Sequence, residues 1–259
     1  MDQFKRTDYE RVAARYDEDR RGYQSTRDDF LAERLAIEPE RPFTVLDLGC
    51  GTGTYLKTQA AHFAGEALRL VGVDPSAAML ERARKKGIEA PLPIELLNGA
   101  AERIPLPDDV VHLVVSNLSL HHFSDKHQAL DEIGRVARTR AALTIATLDV
   151  GGMADWWVYR FFPETLAADR ARFWAVARLR SELDRRGWSV SVDIRHGQEE
   201  RSVARQLEAA LRRTTSQLDI LDDRDYERGL HRMRDLLAES PNATIDSEFA
   251  LVVCHASRG

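Results

Sequence analysis

The chain has 259 residues, with 37 basic side chains against 42 acidic ones and a formal net charge of −5. That length suits one large domain with an elaboration, and the charge argues against a surface built throughout to grip a phosphate backbone. No run approaches the ~18 apolar residues that a membrane helix needs, and two cysteines, Cys50 and Cys254, are too few for a disulfide scaffold or a four-cysteine zinc site.

The opening stretch, MDQFKRTDYERVAARYDEDRR, is charged throughout and lacks an apolar signal core, so the expected address is the cytoplasm. Residues 1–40 read as helical. From Phe43 to Val150 short apolar runs alternate with amphipathic stretches, the pattern of a parallel sheet with crossover helices. The strand candidates are PFTVLDLG, RLVGVD, PIELLNG, VVHLVVSN and ALTIATLD, each ending where Gly, Asp or Asn lets the chain turn. Between them, Ser76 to Lys86 is a helix that Ser76 can cap and Gly87 can end, and Asp125 to Ala137 is another. Right-handed crossovers would set the loops after these strands along one edge, where a ligand binds. Further on, Phe162 to Arg186 and about Glu199 to Glu239 read as helical, while WSVSVDIRH and DSEFALVVCHA read as late strands. The arginines of 170–186 and 201–213 alternate with acids at helical spacing, as on a solvated face. No internal repeat is present.

The most informative residues are Val45 to Thr54, VLDLGCGTGT, a buried strand that runs into Gly49, Gly51 and Gly53. Alternate glycines let the backbone pass close beneath a ligand and present amide donors to it. The spacing is G-x-G-x-G, not the G-x-G-x-x-G of dinucleotide enzymes, and Asp47 lies two residues before the first glycine. With this loop the sequence resembles the class I S-adenosylmethionine-dependent methyltransferases. Three more segments carry the resemblance: VGVDPSAAMLERAR with Asp74 at a strand end, NGAAERIPLPDD, and VVSNLSLHHFSD. It covers roughly Tyr9 to Asp149 and is most similar to the small-molecule branch typified by ubiquinone-biosynthesis enzymes.

The resemblance implies an α/β, Rossmann-like fold with a seven-stranded, mostly parallel sheet and helices on both faces. Residues 41–150 would be the cofactor-binding core and 151–259 the rest of the sheet, with a helical lid from residues 1–40 and an insertion at about 199–240. It implies that Asp47 orients the loop or meets the methionine amino group, and that Gly49, Cys50, Gly51, Thr52 and Gly53 let S-adenosylmethionine lie against the backbone. Asp74, followed by Pro75, would hold the ribose hydroxyls. Met79 would pack on the adenine, with Ala100, Ala101 and Glu102 closing its other side, and Asn117 would stand at the strand end that approaches the sulfonium. Tyr16 and Arg20 would fold over the methionine end. His121 or His122 would serve as a base for an acceptor of high pKa. His121, His122, Asp125 and His127 fix no ligand geometry, so no metal is expected. One or two of Trp156, Trp157, Tyr159, Phe161 and Phe162 would touch the acceptor.

The chain departs from that family's pattern in three places. Ala100 stands where an Asp often contacts the adenine, Val111-His112 replaces a frequent Phe-Asp, and Thr139 to Ala142 replaces a Gly-Gly turn. The function implied is methyl transfer from S-adenosylmethionine to a small organic acceptor, leaving S-adenosylhomocysteine, by a monomer or homodimer that binds neither membrane nor nucleic acid. The alternatives are a non-methylating relative, such as a cyclase or binding module, and an RNA methyltransferase, which the charge disfavours. Ser116-Asn117-Leu118-Ser119 stands where amino-group DNA methyltransferases carry Asn/Asp-Pro-Pro-Tyr, and a cytosine C5 enzyme's Pro-Cys pair is absent. A nicotinamide dehydrogenase is disfavoured by the glycine spacing.

Overall fold

Strands β1 (Phe43–Leu48) and β4 (Val111–Asn117) are buried at every position, as central strands of a covered parallel sheet are. They lie side by side in a seven-stranded sheet, in a computed structural model that describes residues 7–12, 26–87 and 92–259. With β2 (Leu68–Asp74), β3 (Ile94–Asn98), β5 (Ala137–Leu148), β6 (Trp188–Ser202) and β7 (Thr244–Arg258), the order is β3-β2-β1-β4-β5-β7-β6. β1 pairs in parallel with β2 and with β4, β2 with β3, and β4 with β5. The chain winds outward from β1 to β3 and then returns to the other side of β1. The order therefore reverses between β1 and β4, and the crevice at their carboxyl ends is the place such a sheet offers a ligand.

The Rossmann-like architecture matches the expectation, and so do the main caps. Helices α1 (Tyr9–Val12) and α2 (Asp29–Ile37) precede the sheet, and α3 (Thr54–His62), α4 (Ala77–Gly87) and α5 (Lys126–Val136) connect its strands. The Ser76 hydroxyl accepts from the Met79 amide at 3.2 Å at the start of α4, and the Asp125 carboxylate accepts from the amides of His127 and Gln128 at the start of α5. Of the helical segment expected over residues 1–40, residues 1–6 and 13–25 lie outside the described residues.

Two expectations need correction. The helical reading of 162–186 resolves into α7 (Glu164–Arg172) and α8 (Val176–Asp184), with a short α6 (Trp157–Phe161) before them. Pro163 cannot donate to a continuing helix, and α7 ends at Phe173, whose backbone is extended. The helix expected from about Glu199 begins instead at Val203. Glu199 and Glu200 are good helix formers, but here β6 continues to Ser202, paired with β7, and Thr244 donates to Glu200 at 2.7 Å. Ladder pairing overrides local propensity. Helices α9 (Val203–Leu211), α10 (Ser216–Asp219) and α11 (Asp223–Glu239) follow.

The described residues pack as two units. One comprises 9–147, 177–193 and 253–259, with a core in which Phe43, Val45, Leu70 and Leu113 meet Leu31 and Leu35 of α2 and Leu56 of α3. The other comprises 148–176 and 194–252 with residues 7 and 8, and its core gathers Trp157, Phe161, Phe162, Tyr226, Leu230 and Met233. Four of the five aromatics of 156–162 are thus core residues of this second unit. There the wholly buried Asp169 accepts from the Tyr159 hydroxyl at 2.7 Å, Gln217 at 3.0 Å and Arg172 at 2.5 Å, the partners that a buried carboxylate requires. No helix among the described residues is long and apolar enough to cross a membrane.

Candidate active site

The loop after β1 shows why its glycines alternate. Gly49, Gly51 and Gly53 have φ of +77°, +53° and +72°, in the left-handed region that side chains disfavour. A Cβ on Gly49 would also lie 2.5 Å from the Cβ of Ser119. The amides of Gly49 and Cys50 donate to the Val73 carbonyl at 2.8 and 3.1 Å, tying the loop to β2. Ser119, in the turn after β4, donates to the Leu48 carbonyl at 2.9 Å and lies 2.6 Å from the Ser116 hydroxyl. The ends of β1, β2 and β4 are thereby fixed to one another.

Asp74 stands at the centre of this arrangement. Its Oδ2 accepts from the Gly51 amide and its Oδ1 from the Ser76 amide, both at 2.9 Å. Burial raises its pKa, the two amides pull it down, and Glu10 adds a smaller repulsion. Asp47 is 2% exposed, and its pKa is pushed up to about 8, first by burial and then by repulsion from Asp74. It is therefore mostly protonated at neutral pH. The buried Cys50 thiol is pushed well above its usual range, first by burial and then by Asp47 and Asp74, which makes it a poor nucleophile. Thr52 is buried at the entrance to α3, and Pro75 is exposed, with its carbonyl accepting from Asn98 at 2.9 Å.

Helix α1 contributes two residues that the sequence reading missed. Glu10 accepts from the Ala78 amide at 3.2 Å at the start of α4, where a helix N-terminus favours an anion. The Tyr9 hydroxyl lies 2.5 Å from Nε2 of His122, and the two rings meet edge to face. His121, itself buried, has its ring centroid 3.9 Å from that of His122. Met79 is 1% exposed and packs against Tyr9 and Ala78. No local signal could single out Tyr9, because its partner lies 113 residues away in sequence. Tyr16 and Arg20 lie outside the described residues.

On the other wall, Ala100 is exposed and Ala101 buried. Glu102 acts on the backbone, where its Oε1 accepts from the amides of Ser124 at 2.5 Å and Asp125 at 3.0 Å and so pins the chain before α5. Burial opposes its ionisation, but these donors outweigh burial and hold its pKa below the usual value. Asn117 ends β4. It is 6% exposed, and neither its amide oxygen nor its nitrogen has a partner among the described residues. A buried amide with both ends unsatisfied is rare and points to a ligand that completes it. Leu118 follows with φ +49°, a strained conformation of the kind found where a site fixes its backbone. No group of three or more His, Cys, Asp or Glu among the described residues is arranged to hold a metal ion.

Residues 45–140 match the family model described as a methyltransferase domain. Over this stretch the chain resembles that family. The stretch carries the glycine loop, Asp74, Asn117 and both histidines. The chain is 36% identical over 113 residues to the malonyl-[acyl-carrier protein] O-methyltransferase of Yersinia pestis, a match covering 44% of this chain and 39% of that protein. It is 34% identical over 142 residues to the protein of the same name from Legionella pneumophila, covering 54% and 46%. The chain thus spans less than half the length of these relatives. Among solved structures, a putative methyltransferase from an antibiotic biosynthesis pathway of Anabaena variabilis superposes with a TM-score of 0.65 at 22% identity, covering 90% of this chain and 99% of that one. The chain thus shares its fold with that protein.

Proposed function

We propose that the chain uses S-adenosylmethionine to methylate a small organic acceptor. Asp74 carries the reading. A carboxylate offers about four lone-pair positions, and the Gly51 and Ser76 amides take one on each oxygen, which leaves one on each for a pair of ribose hydroxyls. The residues present fit the cofactor: the Gly51 amide holds the Asp74 carboxylate at the end of β2, and the buried, unpartnered Asn117 amide offers both donors and an acceptor. Asp47 would face the methionine amino group, Met79 the adenine, and Ala101 the adenine's other side.

When bound, S-adenosylmethionine supplies an already activated methyl group on a sulfonium. The chain therefore needs chiefly to align the acceptor and exclude water, and alignment alone is worth about 7 to 11 kcal/mol. For an acceptor hydroxyl or amine of high pKa, His121 or His122 would take the proton, and the Tyr9 hydroxyl on Nε2 of His122 holds that ring in place. The likeness to malonyl-[acyl-carrier protein] O-methyltransferases supports an oxygen acceptor, for which an ionised carboxylate would need no base.

Thermal melting with S-adenosylmethionine, S-adenosylhomocysteine and a nicotinamide dinucleotide tests the proposal. The first two should raise the melting temperature and the third should not. Stabilisation by the dinucleotide alone, or by none of the three, overturns it. Of the two departures that favoured a non-methylating relative, Ala100 and Val111-His112, the second lies at the opposite end of its strand, away from this site, and so does the departure at Thr139 to Ala142.

A further inference from the structure

A cavity of about 140 Å³ lies at the opposite ends of the strands from the glycine loop, lined by Arg34 of α2, Glu40, Phe43 of β1, His112 of β4, and Arg138 and Arg140 of β5. His112 is five residues before Asn117 on β4, about 16 Å along an extended strand. Both of the departures at this end of the sheet line it.

Two of its donors lack an acceptor, Nε2 of His112 and Nε of Arg34. His112 is 6% exposed, and its ring stacks on Phe43 with centroids 4.8 Å apart. Its Nδ1 accepts from the Thr44 amide at 3.0 Å, so Nδ1 carries no proton and the neutral imidazole bears its hydrogen on Nε2. Burial first, and then Arg138, hold its pKa below the usual value and keep the ring neutral. Nε2 faces Nη1 of Arg138 at 3.5 Å, and a guanidinium only donates. Two N–H donors thus converge and neither can bond the other. Arg138 meets Glu40 at 2.5 Å, which leaves His112 without an acceptor at Nε2. Arg34 gives Nη2 to the Arg140 carbonyl at 2.8 Å, while its buried Nε has no partner among the described residues. Arg140 presents that carbonyl from a left-handed backbone, φ +67°, which a side chain rarely adopts without a local reason.

We propose that this cavity is a binding site for a small oxyanion, a phosphate or carboxylate group, whose oxygens supply the acceptors that Nε2 of His112 and Nε of Arg34 lack, beside the charge of Arg138. Three guanidinium groups against the carboxylates of Glu38 and Glu40 leave the lining positive. At about 30 Å³ per water the volume holds roughly four to five waters, room enough for one such group. The proposal does not depend on the methyl-transfer reading.

Calorimetric titration of the full chain, at constant ionic strength in chloride, with inorganic phosphate in one arm and malonate in the other, tests it. Saturable one-site binding of either anion is expected, and the arm that binds identifies the chemistry. Arg138→Met and His112→Phe should each weaken it at least tenfold, whereas Asp74→Asn should leave it unchanged. Should a variant fail to fold, nitrogen NMR of the unaltered protein replaces it, with the His112 Nε2 resonance expected to move on titration. No saturable binding of either anion, affinity unchanged in both cavity variants, or an unmoved His112 resonance would overturn the proposal.

Discussion

Replacing Asp74 by Asn changes one heavy atom at the centre of the proposed cofactor site. In the present structure each carboxylate oxygen accepts one backbone amide at 2.9 Å, from Gly51 on one side and Ser76 on the other. The Asn variant keeps one oxygen, while its NH₂ group must face a backbone N–H that it cannot accept. One ribose acceptor and the negative charge are lost together. A hydrogen bond to a charged group contributes about 1.5 to 3 kcal/mol, so affinity for S-adenosylmethionine should fall roughly ten- to a hundredfold. Titration calorimetry with S-adenosylmethionine and S-adenosylhomocysteine would measure this, and a melting curve would confirm that the variant is folded. A folded variant that binds both with unchanged affinity would refute the assignment of Asp74 to the ribose.

Three further outcomes follow from the same geometry. Gly49→Ala places a Cβ at φ +77° and 2.5 Å from that of Ser119, so urea denaturation should show a loss of about 1 to 3 kcal/mol; an unchanged midpoint would contradict the strained loop. Asp47 has a folded pKa of about 8, above an unfolded value near ~3.9, so its neutral form favours the fold at low pH. That contribution should drain away as pH rises from about 4 to about 8, by at most about 1.4 kcal/mol per unit; Asp47→Asn should flatten the decline, and parallel curves for the two proteins would argue against the shift. His121→Ala or His122→Ala should lower turnover by roughly two orders of magnitude on an acceptor that must lose a proton, with little loss on an ionised carboxylate, and full activity of both variants on both acceptors would leave alignment as the sole contribution.

What the sequence disclosed is what short-range physics encodes. Gly49, Gly51 and Gly53 mark in the sequence a loop whose backbone passes close beneath a ligand, and Asp74 and Asn117 could be placed because apolar runs end at them. Ser76 and Asp125 were legible as caps because capping needs only the next turn of chain. Contacts that join distant segments left no such trace. Tyr9 meets His122 only after α1 reaches the end of β4, and Glu102 spends its carboxylate on the chain before α5, a role that its place beside Ala101 did not suggest. His112 and Arg140 read as departures from a pattern, and only their meeting around one cavity gives them a common purpose. The polar end of β6 misled because paired strands, not propensity, decide its conformation.

The central claim is tested most directly by incubating the protein with S-adenosylmethionine labelled in its methyl group and a mixture of small organic acids, alcohols and amines, then following the label by mass. The account predicts label in a compound of low mass, S-adenosylhomocysteine formed in equal amount, and at least a tenfold loss of both at subsaturating cofactor with Asp74→Asn. Label that enters RNA, or S-adenosylhomocysteine that accumulates with no methylated product, would contradict it.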